Sequence, residues 1–76
     1  MEELVAYLAR ALVDHPEAVR VERTERDDLV VLRLHVASED VGKVIGRQGR
    51  VVRALRTLVR AGSSKRGERT VLEIVE

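Results

Sequence analysis

The sequence predicts a small two-layer α+β domain in the order α-β-β-α-α-β, a three-stranded mixed sheet with helices on one face. Three observations predict it. Apolar residues recur at helical spacing near the start of the chain and again after residue 50. Two stretches between them, and one at the end, alternate apolar with polar residues. A pair of glycines, Gly46 and Gly49, separates two helical stretches.

Glu2 to Val13 reads as the first helix, with Leu4, Val5, Leu8 and Leu12 as its apolar stripe. Glu2 and Glu3 suit the positive end of the helix dipole, and Asp14-His15-Pro16 ends the helix. Tyr7, the sole aromatic residue, lies at the edge of the stripe and is expected to pack rather than to stack on a base. Val19 and Val21 alternate with Arg20, Glu22 and Arg23 in a half-buried strand, and Glu25 to Asp28 makes a polar turn. Adjacent carboxylates such as Asp27 and Asp28 are ordinary turn chemistry rather than an acid/base pair. The next strand places Val30, Leu32, Leu34 and Val36 on one face and Val31, Arg33 and His35 on the other, which puts His35 on the solvent side without a catalytic or metal role.

Ser38 is placed as an N-cap, with Glu39 and Asp40 in the first turn of a short helix running to Ile45. After the tight turn Gly46 to Gly49, a second helix runs from Arg50 to about Ala61. Val51, Val52, Leu55, Leu58 and Val59 form its apolar face, and Arg50, Arg53, Arg56 and Arg60 the opposite one. Gly62 to Gly67 reads as a flexible basic loop, and Thr70 to Val75 as the last strand, with Leu72 and Ile74 opposite Glu73. The first two strands, joined by a short turn, pair antiparallel; the second and third, joined across two helices, lie parallel.

Length and composition narrow the function. The 76 residues make one domain, and a chain of this size hides only about 60% of the surface it would expose unfolded. There is no cysteine, which removes disulfides and thiolate metal sites, and His15 and His35 stand apart from any ligand cluster. Association with another chain is the remaining route to extra stability. No apolar run approaches the roughly 18–20 residues that span a membrane, and the start Met1-Glu2-Glu3 is acidic where a secretory signal begins basic, so a cytoplasmic protein is expected.

The formal net charge of +1 conceals a strong polarisation. Between Lys43 and Arg69 there are nine basic residues against the single acid Glu68, whereas the rest of the chain carries five basic and twelve acidic residues. One basic face on an acidic domain fits a polyanionic partner; the arginines taken alone read equally well as a solvated helix face.

Gly46-Arg47-Gln48-Gly49 is where the basic stretch acquires chemistry. Free N–H groups at the start of the following helix carry the positive end of its dipole and favour an anion. Glycine lets a phosphate backbone approach the main chain and permits positive φ, while Arg47 adds charge and Gln48 a neutral donor. No acid lies between Val41 and Gly67 to oppose such a ligand. Two glycines alone make only a tight interhelical corner; their context, after Val44-Ile45 and before an arginine-faced helix, points to a sugar-phosphate backbone.

With these residues in place the sequence resembles the KH domains. Val44-Ile45-Gly46-Arg47-Gln48-Gly49-Arg50 is similar to their G-x-x-G signature, whose loop clamps about four nucleotides by the backbone. The helix and strand before the motif, with no helix after the last strand, resemble the type II KH fold, with the core motif at 29–76. The run from Val41 to Arg50, continuing into Arg53-Ala54-Leu55-Arg56, looks closest to the small bacterial KhpA family. The resemblance implies that Gly46, Arg47, Gln48 and Gly49 hold the RNA backbone and that Lys43, Arg50 and Arg53 supply nearby charge. It also implies that Val44, Ile45 and an apolar residue of the second strand, Leu34 being the candidate, floor the bases; ordinary core is an equal reading for one of the first two. It implies an RNA chaperone or post-transcriptional regulator that forms a homodimer, or a heterodimer with a KhpB-type KH protein, and that acts on cell-wall synthesis and cell length. No cofactor, metal, membrane or small-molecule substrate is expected. The scarcity of aromatics agrees with a KH groove and disfavours RRM and OB-fold modes, which stack bases on Phe, Tyr or Trp.

Two other classes stay open. A helix-turn-helix over Ser38 to Ala61 is permitted, but Arg50-Val51-Val52-Arg53 lacks the Asn, Gln or Ser with which a recognition helix reads bases. A protein-interaction module without RNA binding is the other. An enzyme is the least supported class, because the chain has no P-loop, no cysteine nucleophile and no His/carboxylate set at metal spacing.

Overall fold

The computed structural model describes residues 1–76, apart from the side chain of Arg66. Helix α1 spans Glu2–Leu12, strand β1 Arg20–Arg26, strand β2 Leu29–His35, helix α2 Val41–Ile45, helix α3 Arg50–Arg66 and strand β3 Arg69–Val75. Single 3-10 turns at Pro16–Ala18, Ser38–Asp40 and Arg47–Gly49 join them. The sheet order is β1-β2-β3, with β1 antiparallel and β3 parallel to the central β2. This is the predicted α-β-β-α-α-β arrangement.

Period-2 alternation sets the faces. Val30, Leu32, Leu34, Val36 and Leu72 are buried under the helices, together with Val5, Ala6 and Ala9 of α1, Val44 of α2, and Leu55 and Val59 of α3. The opposite face is polar: Arg33 pairs with Glu73, its register partner on β3, at 3.2 Å, and His35 pairs with Glu22 of β1. Such cross-strand pairs support the sheet modestly where water screens them. At one end of the sheet, the Arg23 guanidinium reaches Glu25 and Glu68 at 3.0 Å and Glu2 at 3.6 Å, joining β1 to the start of α1 and the end of α3.

Several expectations are corrected. The β1–β2 turn is only Asp27-Asp28, with Asp27 left-handed at φ 52°, so β1 extends to Arg26. In α1 the buried line is Val5, Ala6 and Ala9, while Leu4 and Leu12 are exposed and Leu8 is half-buried. Close approach of α1 to the sheet selects the small alanines. Tyr7, expected to pack, is 69% exposed. Ser38 makes no capping hydrogen bond, and Asp40, read as a first-turn acid, is wholly buried. In α3, Leu58 is exposed although it was placed on the apolar face.

The largest correction is the length of α3, which runs on through Gly62-Ser63-Ser64-Lys65 to Arg66 where a loop was expected. Gly62 lies under Met1, whose sulfur would be 2.8 Å from any Cβ at that position, and Ser63 is buried. Packing overrides the weak helix propensity of Gly and Ser. The helix stops at Gly67, left-handed at φ 74°, whose N–H is donated to the carbonyls of Ser63 and Ser64 in the usual glycine C-cap.

Candidate nucleic-acid interface

The loop Gly46–Gly49 stands at the junction of α2 and α3, and its backbone departs from ordinary helical geometry at each end. Gly46 has φ 77° and ψ 170°, Gln48 φ 57° and ψ 26°, and Gly49 φ 73° and ψ 15°. Gly46 donates its N–H to Gly42 O at 2.8 Å, closing α2, and Gly49 donates to Gly46 O at 3.1 Å, closing the turn. A Cβ on Gly46 would stand 2.4 Å from Val51 Cγ2 and 2.9 Å from Val51 N, so glycine is required there by space as well as by φ. Gly49, by contrast, has open surroundings and is required by its positive φ alone.

The two middle residues project into solvent. Arg47 and Gln48 are exposed, and α3 begins at Arg50 without a side-chain cap; the Arg50 N–H is donated to Arg47 O, and the positive end of a 17-residue helix dipole lies beneath the loop. Arg53 Nη2 donates to Gln48 O at 2.7 Å and Arg50 Nη2 to Gln48 Oε1 at 3.3 Å. Arg47, Gln48, Arg50 and Arg53 thus form one basic cluster over the helix start. An anion here meets main-chain donors and guanidinium groups together.

Lys43 is turned elsewhere. Its ammonium pairs with the Asp14 carboxylate and lies 3.7 Å from Asp40 Oδ1, and those acids hold the Lys43 pKa above its ordinary value. Of the apolar pair, Val44 is 0% exposed and belongs to the core, whereas Ile45 is 38% exposed beside the loop. Leu34 is also 0% exposed. Ordinary core, the equal reading for one of Val44 and Ile45, thus falls to Val44; Leu34, the candidate from the second strand, is interior as well, and of the three only Ile45 offers surface.

The structure shows a further surface that sequence reasoning missed. Between α3 and the open edge of β3 runs a groove lined by Arg56, Arg60, Thr70, Val71 and Leu72. Arg56 Nε donates to Leu72 O at 3.4 Å, so this arginine lies against the strand edge, and Val71 is exposed beside it. The predicted parallel pairing already made β3 an edge strand, but only the packing of α3 shows that this edge lies beside Arg56 and Arg60.

Asp40 anchors the whole junction. Its Oδ1 accepts the Asp14 N–H at 3.2 Å and its Oδ2 the His15 N–H at 2.9 Å, tying the connection between α1 and β1 to the start of α2. Burial pushes the Asp40 pKa up, but these two N–H donors, with His15 and Lys43 nearby, outweigh it and hold the carboxyl below its ordinary range.

An α-β-β-α-α-β fold with a glycine-bracketed turn between its last two helices defines a KH-type domain. The sequence matches the family described as KhpA/KhpB, KH domain, over residues 2–74. The chain belongs to that family. It is 55% identical over 75 residues to RNA-binding protein KhpA of Treponema pallidum, covering 99% of this chain and 94% of that one. It is 48% identical to RNA-binding protein KhpA of Caldanaerobacter subterraneus over 99% of this chain and all of the relative. Against RNA-binding protein KhpA of Listeria monocytogenes it is 47% identical over the full length of both. No solved structure gives a significant match. Among the described residues no helix is long and apolar enough to cross a membrane, and no cluster of three or more metal-ligating side chains occurs.

Proposed function

We propose that this protein binds single-stranded RNA by its sugar-phosphate backbone, with Gly46, Arg47, Gln48 and Gly49 as the clamp. The carrying observation is the uncapped start of α3 beneath the exposed Arg47 and Gln48, flanked by Arg50 and Arg53. Relatives at 47–55% identity named as RNA-binding proteins support the reading. Phosphates sit over the loop, and bases extend past Ile45 and along the groove of Arg56, Arg60 and Val71. A backbone clamp of this kind tolerates many sequences, which suits an RNA chaperone or post-transcriptional regulator.

The partner reading rests on a different surface. Leu4, Tyr7 and Leu12 of α1 and Leu58 of α3 are exposed large apolar side chains on the helical layer. We read them as the contact for a second copy, or for a KhpB-type KH protein, and the roles in cell-wall synthesis and cell length follow from the family resemblance.

The test replaces Arg47 and Gln48 together by Asp and measures binding of a fluorescent single-stranded RNA across a salt series. The wild type should lose affinity with a log–log slope of roughly −2, as expected for about three phosphate contacts on a single strand. The double variant should keep its thermal unfolding midpoint and lose binding. Binding that persists, or a salt-independent affinity, removes the loop as the clamp, and preference for duplex DNA over single-stranded RNA removes the single-stranded RNA reading.

A further inference from the structure

Among the described residues, Lys43 is the one basic residue of the Lys43–Arg53 stretch whose charge is already answered by acids. Asp14, in the segment after α1, pairs with its ammonium, and Asp40 lies behind it at 3.7 Å. The two acids differ in kind. Asp40 is buried and committed to the main-chain N–H groups of Asp14 and His15. The Asp14 side chain is 69% exposed, and its only recorded partner among the described residues is Lys43. His15, the other nearby group, is turned to Glu17 and Glu39 at 3.6 and 3.2 Å.

Lys43 lies one turn before Gly46, on a helix only five residues long, and its side chain is 45% exposed. A lysine stem has four rotatable methylenes, so the ammonium that now meets Asp14 is free to turn to the loop side without any backbone change. A phosphate on the loop and the Asp14 carboxylate therefore compete for one cation.

We infer that Asp14 is an affinity-setting residue: it withholds Lys43 from the RNA backbone, and RNA must displace it to gain that phosphate contact. The inference rests on the loop being an RNA clamp. Asp14 touches no RNA; it acts through Lys43. Its effect is small because both groups are exposed, of the size an exposed ion pair gives. Its purpose is to keep the affinity of the domain low and its RNA exchangeable, which the stripe of arginines alone would not do.

A double-mutant cycle tests this, using the full chain and a fluorescent single-stranded RNA. Asp14→Asn keeps the shape of the residue and its main-chain donation to Asp40. It should tighten binding roughly two- to fivefold and steepen the log–log salt slope by about 0.7, one added phosphate contact on a single strand. Asp14→Ala should do the same, so a local folding defect in one variant does not decide the result. In a Lys43→Met background, Asp14→Asn should have no effect on affinity or slope. Equal tightening by Asp14→Asn with and without Lys43 overturns the inference, because loss of a negative charge anywhere nearby would then explain it. Unchanged binding in Asp14→Asn overturns it as well while leaving the clamp intact, whereas absence of RNA binding in all variants and the wild type overturns the clamp reading and this inference with it.

Discussion

Arg53 reaches back from the first turn of α3 to hold the carbonyl of Gln48 at 2.7 Å, so a residue outside the glycine-bracketed loop fixes the backbone inside it. Gln48 is left-handed at φ 57°, a conformation that costs a non-glycine residue about 1 kcal/mol and needs such support.

Removing that support should weaken RNA binding more than the loss of one charge does. Arg53→Ala is expected to lower affinity roughly three- to tenfold, since it deletes a charge-assisted hydrogen bond as well as a cation. Arg53→Lys should fall between, because an ammonium restores charge but not the guanidinium geometry. Fluorescence anisotropy measures the affinities, and amide exchange at Gln48 and Gly49 should quicken in both variants. Equal affinities for the Ala and Lys variants would show that charge is irrelevant here.

The three glycines around the loop should respond to alanine in three ways. Gly46→Ala meets the side chain and main chain of Val51 within 3 Å at φ 77°, and should cost roughly 2–4 kcal/mol. Gly49→Ala has room and is strained by φ 73° alone, so about 1 kcal/mol is expected. Gly42→Ala sits inside α2 with nothing within 4 Å of the added methyl, and should stabilise by about 0.5–1 kcal/mol. Urea unfolding of the three variants orders them; any other order contradicts the geometry.

Asp40 gives the fold an acid-sensitive fastening. Its carboxyl pKa is lower in the folded chain than in the unfolded one, so its contribution is full above the ordinary aspartate value of about 3.9 and fades as pH falls through the lower folded value. Asp40→Asn should lower the unfolding midpoint at pH 7, and the gap from wild type should narrow below about pH 4. Thermal unfolding monitored by circular dichroism across pH 2–8 reads both. A gap that is constant with pH would mean that the charge on Asp40 is immaterial.

Leu58→Arg should leave the fold intact, since that side chain is exposed, and should shift the protein toward monomer in sedimentation velocity if the apolar helical surface joins two copies. Unchanged sedimentation would remove Leu58 from any self-association surface.

The elements, their order and the loop were legible because they depend on local pattern. Val30, Leu32, Leu34 and Val36 alternate in sequence and are all buried in the fold. The two glycines that bracket the turn both have positive φ. What was not legible depends on partners far along the chain. Nothing near Asp40 announces that its oxygens will take N–H groups from residues 14 and 15, because that arrangement exists only once the sheet places the end of α1 beside α2. The helical state of Gly62 to Arg66 was hidden for the same reason, since Gly62 packs against Met1, sixty-one positions away in the chain. Lys43, Val44 and Ile45 read alike as loop-flanking residues, and only the packing separates them into an ion-paired cation, a core residue and a surface one.

The Asp40 fastening also bears on modularity. Residues 29–76 hold the loop and both of its helices, yet Val5, Ala6, Ala9 and Val19 complete their core, and Asp14 and His15 supply the hydrogen bonds to the acid at the head of α2. A graft of the loop-bearing segment onto another scaffold would carry an Asp40 carboxylate without its two main-chain donors and a stripped sheet face. For this domain the minimal motif is a unit of comparison between proteins, and the transplantable unit begins with α1.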